Sequence, residues 1–167
     1  MFGFNANQTF YVEISINKQQ MLVYKNKVLF KTYLISTAKN GVGEQYGSEC
    51  TPRGIHQIRA KIGTNQPENT VFFRRRPNGE VYTPAYAQTQ PQNRDWIITR
   101  ILWLSGLEPD KNRFGSVDTA RRKIYIHGTP DEKLLGKPGS RGCIRMGNRD
   151  IMEFFDFIPV RTIVDIQ

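Results

Sequence analysis

Imidazole and thiol chemistry in this chain rests on two histidines and two cysteines, and one of each lies in a single short segment. His127 precedes a Gly-Thr-Pro break and a loop containing Gly128, Gly136, Gly139 and Gly142, and that loop ends at Cys143. A cysteine attacks carbonyls as its thiolate, so an imidazole that takes the proton is the expected partner. Either the Gly128 carbonyl or Thr129 is near enough in sequence to orient that ring. Small residues ahead of Cys143 let the backbone approach a substrate closely, with amides available to a developing oxyanion. Taken singly, each residue has a plainer reading: a hydrogen-bonded strand-end histidine, a small buried thiol. A zinc site built from Cys50, His56, His127 and Cys143 fails on spacing, which matches no common zinc pattern. A non-catalytic anion-binding module, in which the glycine loop holds ligand and Cys143 only packs, is the alternative from another class.

The elements that must position these residues read mainly as strands. Phe10 to Thr37 alternates apolar and polar residues around Lys25-Asn26-Lys27, which predicts an antiparallel hairpin or meander. Ala38 to Gly54 reads as a loop closing on Thr51-Pro52-Arg53-Gly54, and strand character resumes over Ile55 to Ile62. Gly63 to Arg94 carries Pro67, Pro77, Pro84 and Pro91 and is a long excursion with strand pieces at Thr70 to Phe73 and Glu80 to Tyr82, a candidate lid. Asp95 to Pro109 is apolar on both faces; periodicity does not decide between helix and strand, and helix is the weak preference. Lys123 to His127 is a β-rich run that delivers His127 to its end. Asn148 is expected to cap a helix over Arg149 to Phe157, and Thr162 to Ile166 forms a final strand. The expected architecture is one domain over residues 1–167, mainly β, a mixed β-sandwich or partly closed barrel with one or two helices.

Lysine and arginine exceed acidic residues by 24 to 15, giving a net charge of +9 that favours anionic partners. The clusters Arg74-Arg75-Arg76 and Arg121-Arg122-Lys123 follow no nucleic-acid module, so no nucleic-acid partner is expected. No apolar stretch approaches the roughly 20 residues that span a bilayer. The N-terminal residues lack the basic and apolar regions of an export signal, which points to a cytoplasmic, reducing setting for both thiols.

His-Gly-Thr at 127–129 followed by Ser-Arg-Gly-Cys-Ile-Arg-Met at 140–146 resembles the YkuD-type L,D-transpeptidase catalytic domain. That family's signature is a histidine, a variable loop, then Ser-His-Gly-Cys, an apolar residue and Arg or Asn. Thr51-Pro52-Arg53-Gly54, arriving after Ser36-Thr37-Ala38, resembles the family's entry to the site, so the similarity runs from about Phe10 to Ile166. The resemblance implies that Cys143 is acylated by the third residue of a peptidoglycan stem, expelling D-alanine, with His127 as base and Gly128 as its backbone orienter. It also implies that Ser140 and Gly142 shape the nucleophile turn, that the Gly142 and Cys143 amides face the oxyanion, and that Arg145 holds a substrate carboxylate. Carbapenems are expected to acylate the same thiol, and no cofactor or metal is called for. Arg141 stands where the family has histidine; a guanidinium is no base at neutral pH but binds carboxylates through its fork.

The thioester can be resolved by water or by an amine from another stem. With no export signal, the chain would meet soluble muropeptides and resembles the cytosolic L,D-carboxypeptidases of peptidoglycan recycling, trimming tetrapeptides. The alternative is a periplasmic L,D-transpeptidase, its leader removed, that forms 3-3 cross-links or exchanges D-amino acids.

Overall fold

The computed structural model describes residues 9–167; the leaderless reading of the N-terminus rests partly on residues 1–8, outside the described residues. The meander comprises β1 (Phe10–Ser15), β2 (Gln20–Lys25) and β3 (Val28–Ser36), paired antiparallel. Asn26 and Lys27 between β2 and β3 both take positive φ, as a two-residue hairpin turn of the primed type requires. After the 37–53 loop come β4 (Gly54–Ile62), then β5 (Thr70–Phe73), β6 (Arg76–Val81) and the short helix α1 (Pro84–Gln88). Next are β7 (Ile98–Gly106), β8 (Tyr125–Gly128), β9 (Ile144–Met146), helix α2 (Asn148–Phe157) and β10 (Ile163–Ile166).

Hydrogen bonding runs β4-β10-β1-β2-β3-β9-β8-β7, and a further β4–β7 pairing joins the two ends. Eight strands therefore close into a barrel, while β5 and β6 extend outward from β7. Closure leaves these strands without a free edge. The mainly β expectation holds, and the barrel is closed through the antiparallel register His56–Ile62 against Ile101–Gly106.

Alternation along each strand decides what fills the interior. Val12, Ile14, Met21, Val23, Ile35, Ile58, Leu102, Leu104, Ile126, Ile144 and Met146 form one buried cluster, joined by Ile151, Phe154 and Phe155 of α2. Phe154 is fully buried, and truncating such a side chain to alanine costs about 3 to 5 kcal/mol. Opposite faces of the same strands build a second, smaller cluster of Phe72, Ile101 and Tyr125, with Ile97, Trp103 and Cys143 packed against it.

That second cluster explains the segment the sequence reading leaned toward helix. Residues 98–106 form β7, bonded to β4 on one side and β8 on the other. Leu102 and Leu104 enter the barrel while Ile101 lies beneath the outer cluster, so both faces are apolar without helical periodicity. The α2 start also differs from expectation. Gly147 occupies the cap position and Asn148 is the first helical residue. A carboxylate from elsewhere does the capping: the Asn148 amide donates to Glu132 Oε1 at 2.6 Å. The Asn148 side chain donates to the same Glu132 oxygen at 3.0 Å and also reaches into the site.

Candidate active site

Two short parallel strands bring the predicted pair together. In the β8–β9 register Ile126 faces Ile144 and His127 faces Arg145. Because Ile126 and Ile144 both point into the barrel, His127, Arg145 and Cys143 lie on the opposite face. Tyr125, on that same face, donates its amide to Cys143 Sγ at 3.4 Å. His127 and Cys143 are thus diagonal neighbours on adjacent strands, a separation of about 7 to 8 Å between backbones that an imidazole can bridge.

His127 is buried, and its Nδ1 lies 2.7 Å from the Gly128 carbonyl. A carbonyl only accepts, so Nδ1 carries the proton and the lone pair sits on Nε2, the arrangement a base requires. Of the two orienters left open by the sequence, the ring is bonded to Gly128. A side chain at Gly128 would meet Asn148 Oδ1, come within 2.8 Å of the Ile98 carbonyl and within 3.0 Å of Thr99 Cβ. Thr99 holds a φ of 70°, unusual for a β-branched residue. Its hydroxyl donates to Asn148 Oδ1 at 2.7 Å, and Asn148 Nδ2 donates to the Thr129 carbonyl at 2.8 Å. This Thr99–Asn148 layer holds the peptide that orients the imidazole. Sequence reasoning treated Asn148 only as a cap and gave no signal for Thr99.

Cys143 follows a turn fixed on both sides. Gly142 has a φ of +120°, and a Cβ there would sit 3.2 Å from the Cys50 carbonyl, so glycine is required. Ser140 Oγ donates to the Cys143 carbonyl and accepts the Gly142 amide at 3.2 Å. Thr51 Oγ1 donates to the Gly142 carbonyl at 3.0 Å, which gives the Thr51-Pro52 turn its role. The Gly142 amide is therefore engaged within the turn. Arg122 ties the 43–50 loop to the same region through the Gly43 carbonyl at 3.0 Å and the Cys50 carbonyl at 2.6 Å.

Electrostatics set the resting state. Burial pushes the Cys143 thiol up to about 12, Asp95 raises it further, and the Tyr125 amide, Arg145 and Arg122 oppose. Burial also lowers the His127 imidazole, against the opposing pull of Asp95 and of the Gly128 carbonyl, while Arg145 lowers it further. Both shifts favour the neutral forms, thiol and imidazole, in the free site. Asp95, which acts on both groups, is a site residue the sequence did not single out.

The thiol opens into a cavity of about 280 Å³ whose walls include Phe72, Arg74, Arg75, Asp95, Arg122 and Arg141. The Gly63–Arg94 excursion supplies one wall through its Arg74-Arg75 turn. Arg141 is exposed at the rim and donates to the Asn93 carbonyl at 3.0 Å. Arg145 is differently placed: its fork meets Asp95 at 3.0 Å and Asp131 at 3.6 Å, and its Nε is buried without a partner among the described residues. Two carboxylates already neutralise it. His56 does not join the site; its ring is held by the Gly54 carbonyl at 2.8 Å and Thr119 Oγ1 at 3.0 Å. Cys50 and Cys143 are both free thiols.

The closed β-barrel thus presents a histidine and a cysteine on one face of adjacent strands, beside a cleft walled by Arg74, Arg75, Arg122 and Arg141. Residues 9–166 match the L,D-transpeptidase catalytic domain, YkuD, and the chain belongs to that family. A Bacillus licheniformis protein provisionally named L,D-transpeptidase YkuD is 30% identical over 155 residues, covering 93% of this chain and 64% of that protein. The chain thus spans somewhat less than two thirds of that relative's length. Among solved structures, L,D-transpeptidase 3 from Mycobacterium tuberculosis with a faropenem-derived adduct superposes with a TM-score of 0.58 at 14% identity. The match covers 95% of this chain and 60% of that one. An L,D-transpeptidase in complex with imipenem gives 0.55 at 15% identity, over 95% and 59%. At these identities the structures speak for the fold.

Proposed function

We propose that this chain transfers the acyl group of a peptidoglycan stem through a Cys143 thioester and that water resolves the thioester, making it an L,D-carboxypeptidase that removes the terminal D-alanine of tetrapeptides. The observation that carries the reading is the His127 ring, locked by Gly128 with its lone pair on Nε2 and sharing one sheet face with Cys143. When a stem carbonyl enters the cavity, His127 Nε2 takes the thiol proton as sulfur bonds to carbon. The collapsing intermediate expels D-alanine, whose amine takes that proton back from His127. The same ring then deprotonates the incoming water, and the thioester breaks to a free carboxylate and the original thiol. Cationic Arg74, Arg75, Arg122 and Arg141 around the cavity suit an acidic peptide.

An amine acceptor would use the same machinery, and transpeptidation is the second reading, favoured by the names of the relatives. Hydrolysis goes with soluble muropeptides and a cytoplasmic site of action. β-Lactams of the carbapenem class are expected to acylate Cys143. The test is mass analysis of products from a disaccharide tetrapeptide, with and without a D-amino acid as competing acceptor. Tripeptide as the main product in both supports hydrolysis. Exchanged tetrapeptide as the main product would establish transfer instead, and no reaction in either would refute the site.

A further inference from the structure

Two guanidinium groups converge on one indole beside the thiol cavity. The Arg59 and Arg75 Cζ atoms lie 4.8 and 4.4 Å from the Trp103 ring centroid. Neither arginine forms an ion pair among the described residues, although like charges gathered on one ring repel. They border a cavity of about 370 Å³ together with Arg121 and Lys123. Asp118 is the acidic residue in its wall, and its two oxygens are already taken by the Phe114 and Arg121 amides at 2.8 and 2.9 Å. The cavity wall therefore carries four cations, Arg59, Arg75, Arg121 and Lys123, against the single carboxylate of Asp118.

Two features place Arg75 beside the cavity. Arg74 and Arg75 form the two-residue β5–β6 turn with φ values of 50° and 66°, the geometry such a primed hairpin turn requires, and Arg75 is the less exposed of the two. Arg75 Nη1 then donates to the Tyr125 hydroxyl at 3.0 Å, fixing the fork between the two cavities. The cavities share Arg75 and Lys123 in their walls, so the second adjoins the one above Cys143. Trp103 pairs with Tyr125 in register, and Tyr125 bonds Cys143 Sγ. Two strand spacings from the sulfur amount to about 10 Å, a distance that the residue next to the acylated one spans when the chain between them and its carboxylate arm are both extended.

Resting on the acyl-transfer reading above, we propose that the Arg59–Trp103–Arg75 cluster is a carboxylate subsite for the donor stem. It takes the free carboxylate of the residue that precedes the one acylated at Cys143. Both guanidiniums lie within 5 Å of the indole centroid, and the N–H fork that a guanidinium carries favours a carboxylate over a neutral amide.

Two tetrapeptide stems decide the matter, identical except that the second residue carries a free carboxylate or its carboxamide. The unsubstituted enzyme should prefer the acid about tenfold in kcat/KM, and Arg59→Gln should bring the ratio close to one. Arg59 borders this cavity and not the one above the thiol, so its loss separates recognition from chemistry. Arg59→Lys, which keeps the charge, should retain part of the preference and guards against a folding defect in the glutamine variant. An acid-to-amide ratio unchanged by Arg59→Gln, with both stems turned over, would overturn the subsite and leave the acyl-transfer reading standing. Failure of the unsubstituted enzyme to process either stem would overturn that reading and the subsite with it.

Discussion

Raising pH on the free enzyme tests whether the thiol rests protonated. Burial places Cys143 at about 12. An ordinary thiol near 8.5 is about 3% ionised at pH 7, whereas one near 12 is about 0.001% ionised, a deficit of roughly 3000-fold. A more basic thiolate is a better nucleophile, and the usual dependence recovers roughly 30- to 60-fold of that. The net expectation is alkylation of Cys143 by iodoacetamide about 50- to 100-fold slower than that of an unperturbed thiol at pH 7. The sign is fixed by the direction of the shift: a raised thiol value keeps the neutral form, so the rate should climb about tenfold per pH unit from 7 to 10 without a plateau. Peptide mapping after timed quenching separates Cys143 from Cys50. A rate that levels off below pH 7 would mean a resting thiolate–imidazolium pair and would refute the argument that proton transfer waits for substrate.

Gly128→Ala places a methyl against the Ile98 carbonyl, Thr99 and Asn148; overpacking of this kind costs about 1 to 3 kcal/mol, so Tm should fall by about 2 to 10 °C. The displaced carbonyl should also cut kcat/KM by about a hundredfold, and a variant with unaltered Tm and rate would contradict the packing. Arg145→Ala removes the charge that lowers His127, so the imidazole rises and the acid limb of the kcat/KM profile moves to higher pH; a fixed limb with only KM altered would make Arg145 a substrate contact instead. His56 is lowered to about 4, chiefly by burial. Its neutral form stabilises the fold above the unfolded value near 6.5, and that contribution of about 3 kcal/mol is lost as pH falls from 6.5 to 4. In His56→Gln that loss should vanish from urea unfolding measured across the range, and an unchanged slope would assign acid sensitivity to other groups.

The placing of His127 beside Cys143, the candidate catalytic pair, was legible because its determinants are local. The bond orienting His127 goes to its own neighbour, Gly128, and the turn presenting Cys143 is closed by Ser140, three residues back. Strands β1 to β3 were legible for the same reason: alternation and a two-residue turn act between adjacent residues, and β5 fell where its β-rich run lies. What surrounds the pair came only from the tertiary structure. Asp95 meets Arg145 across 50 positions, Thr99 meets Asn148 across 49, and the β4–β7 ladder closes the barrel without any trace in either strand alone. The 98–106 segment shows the reason most directly. Its composition records burial on both faces, but burial is the same for a central strand and an enclosed helix until the neighbouring strands supply their hydrogen bonds. The arginines divide likewise: sequence counts their charge, while only the fold sends Arg145 to two carboxylates and gathers Arg59 and Arg75 on Trp103. Charge is a property of the residue, but its partner is a property of the path the chain takes.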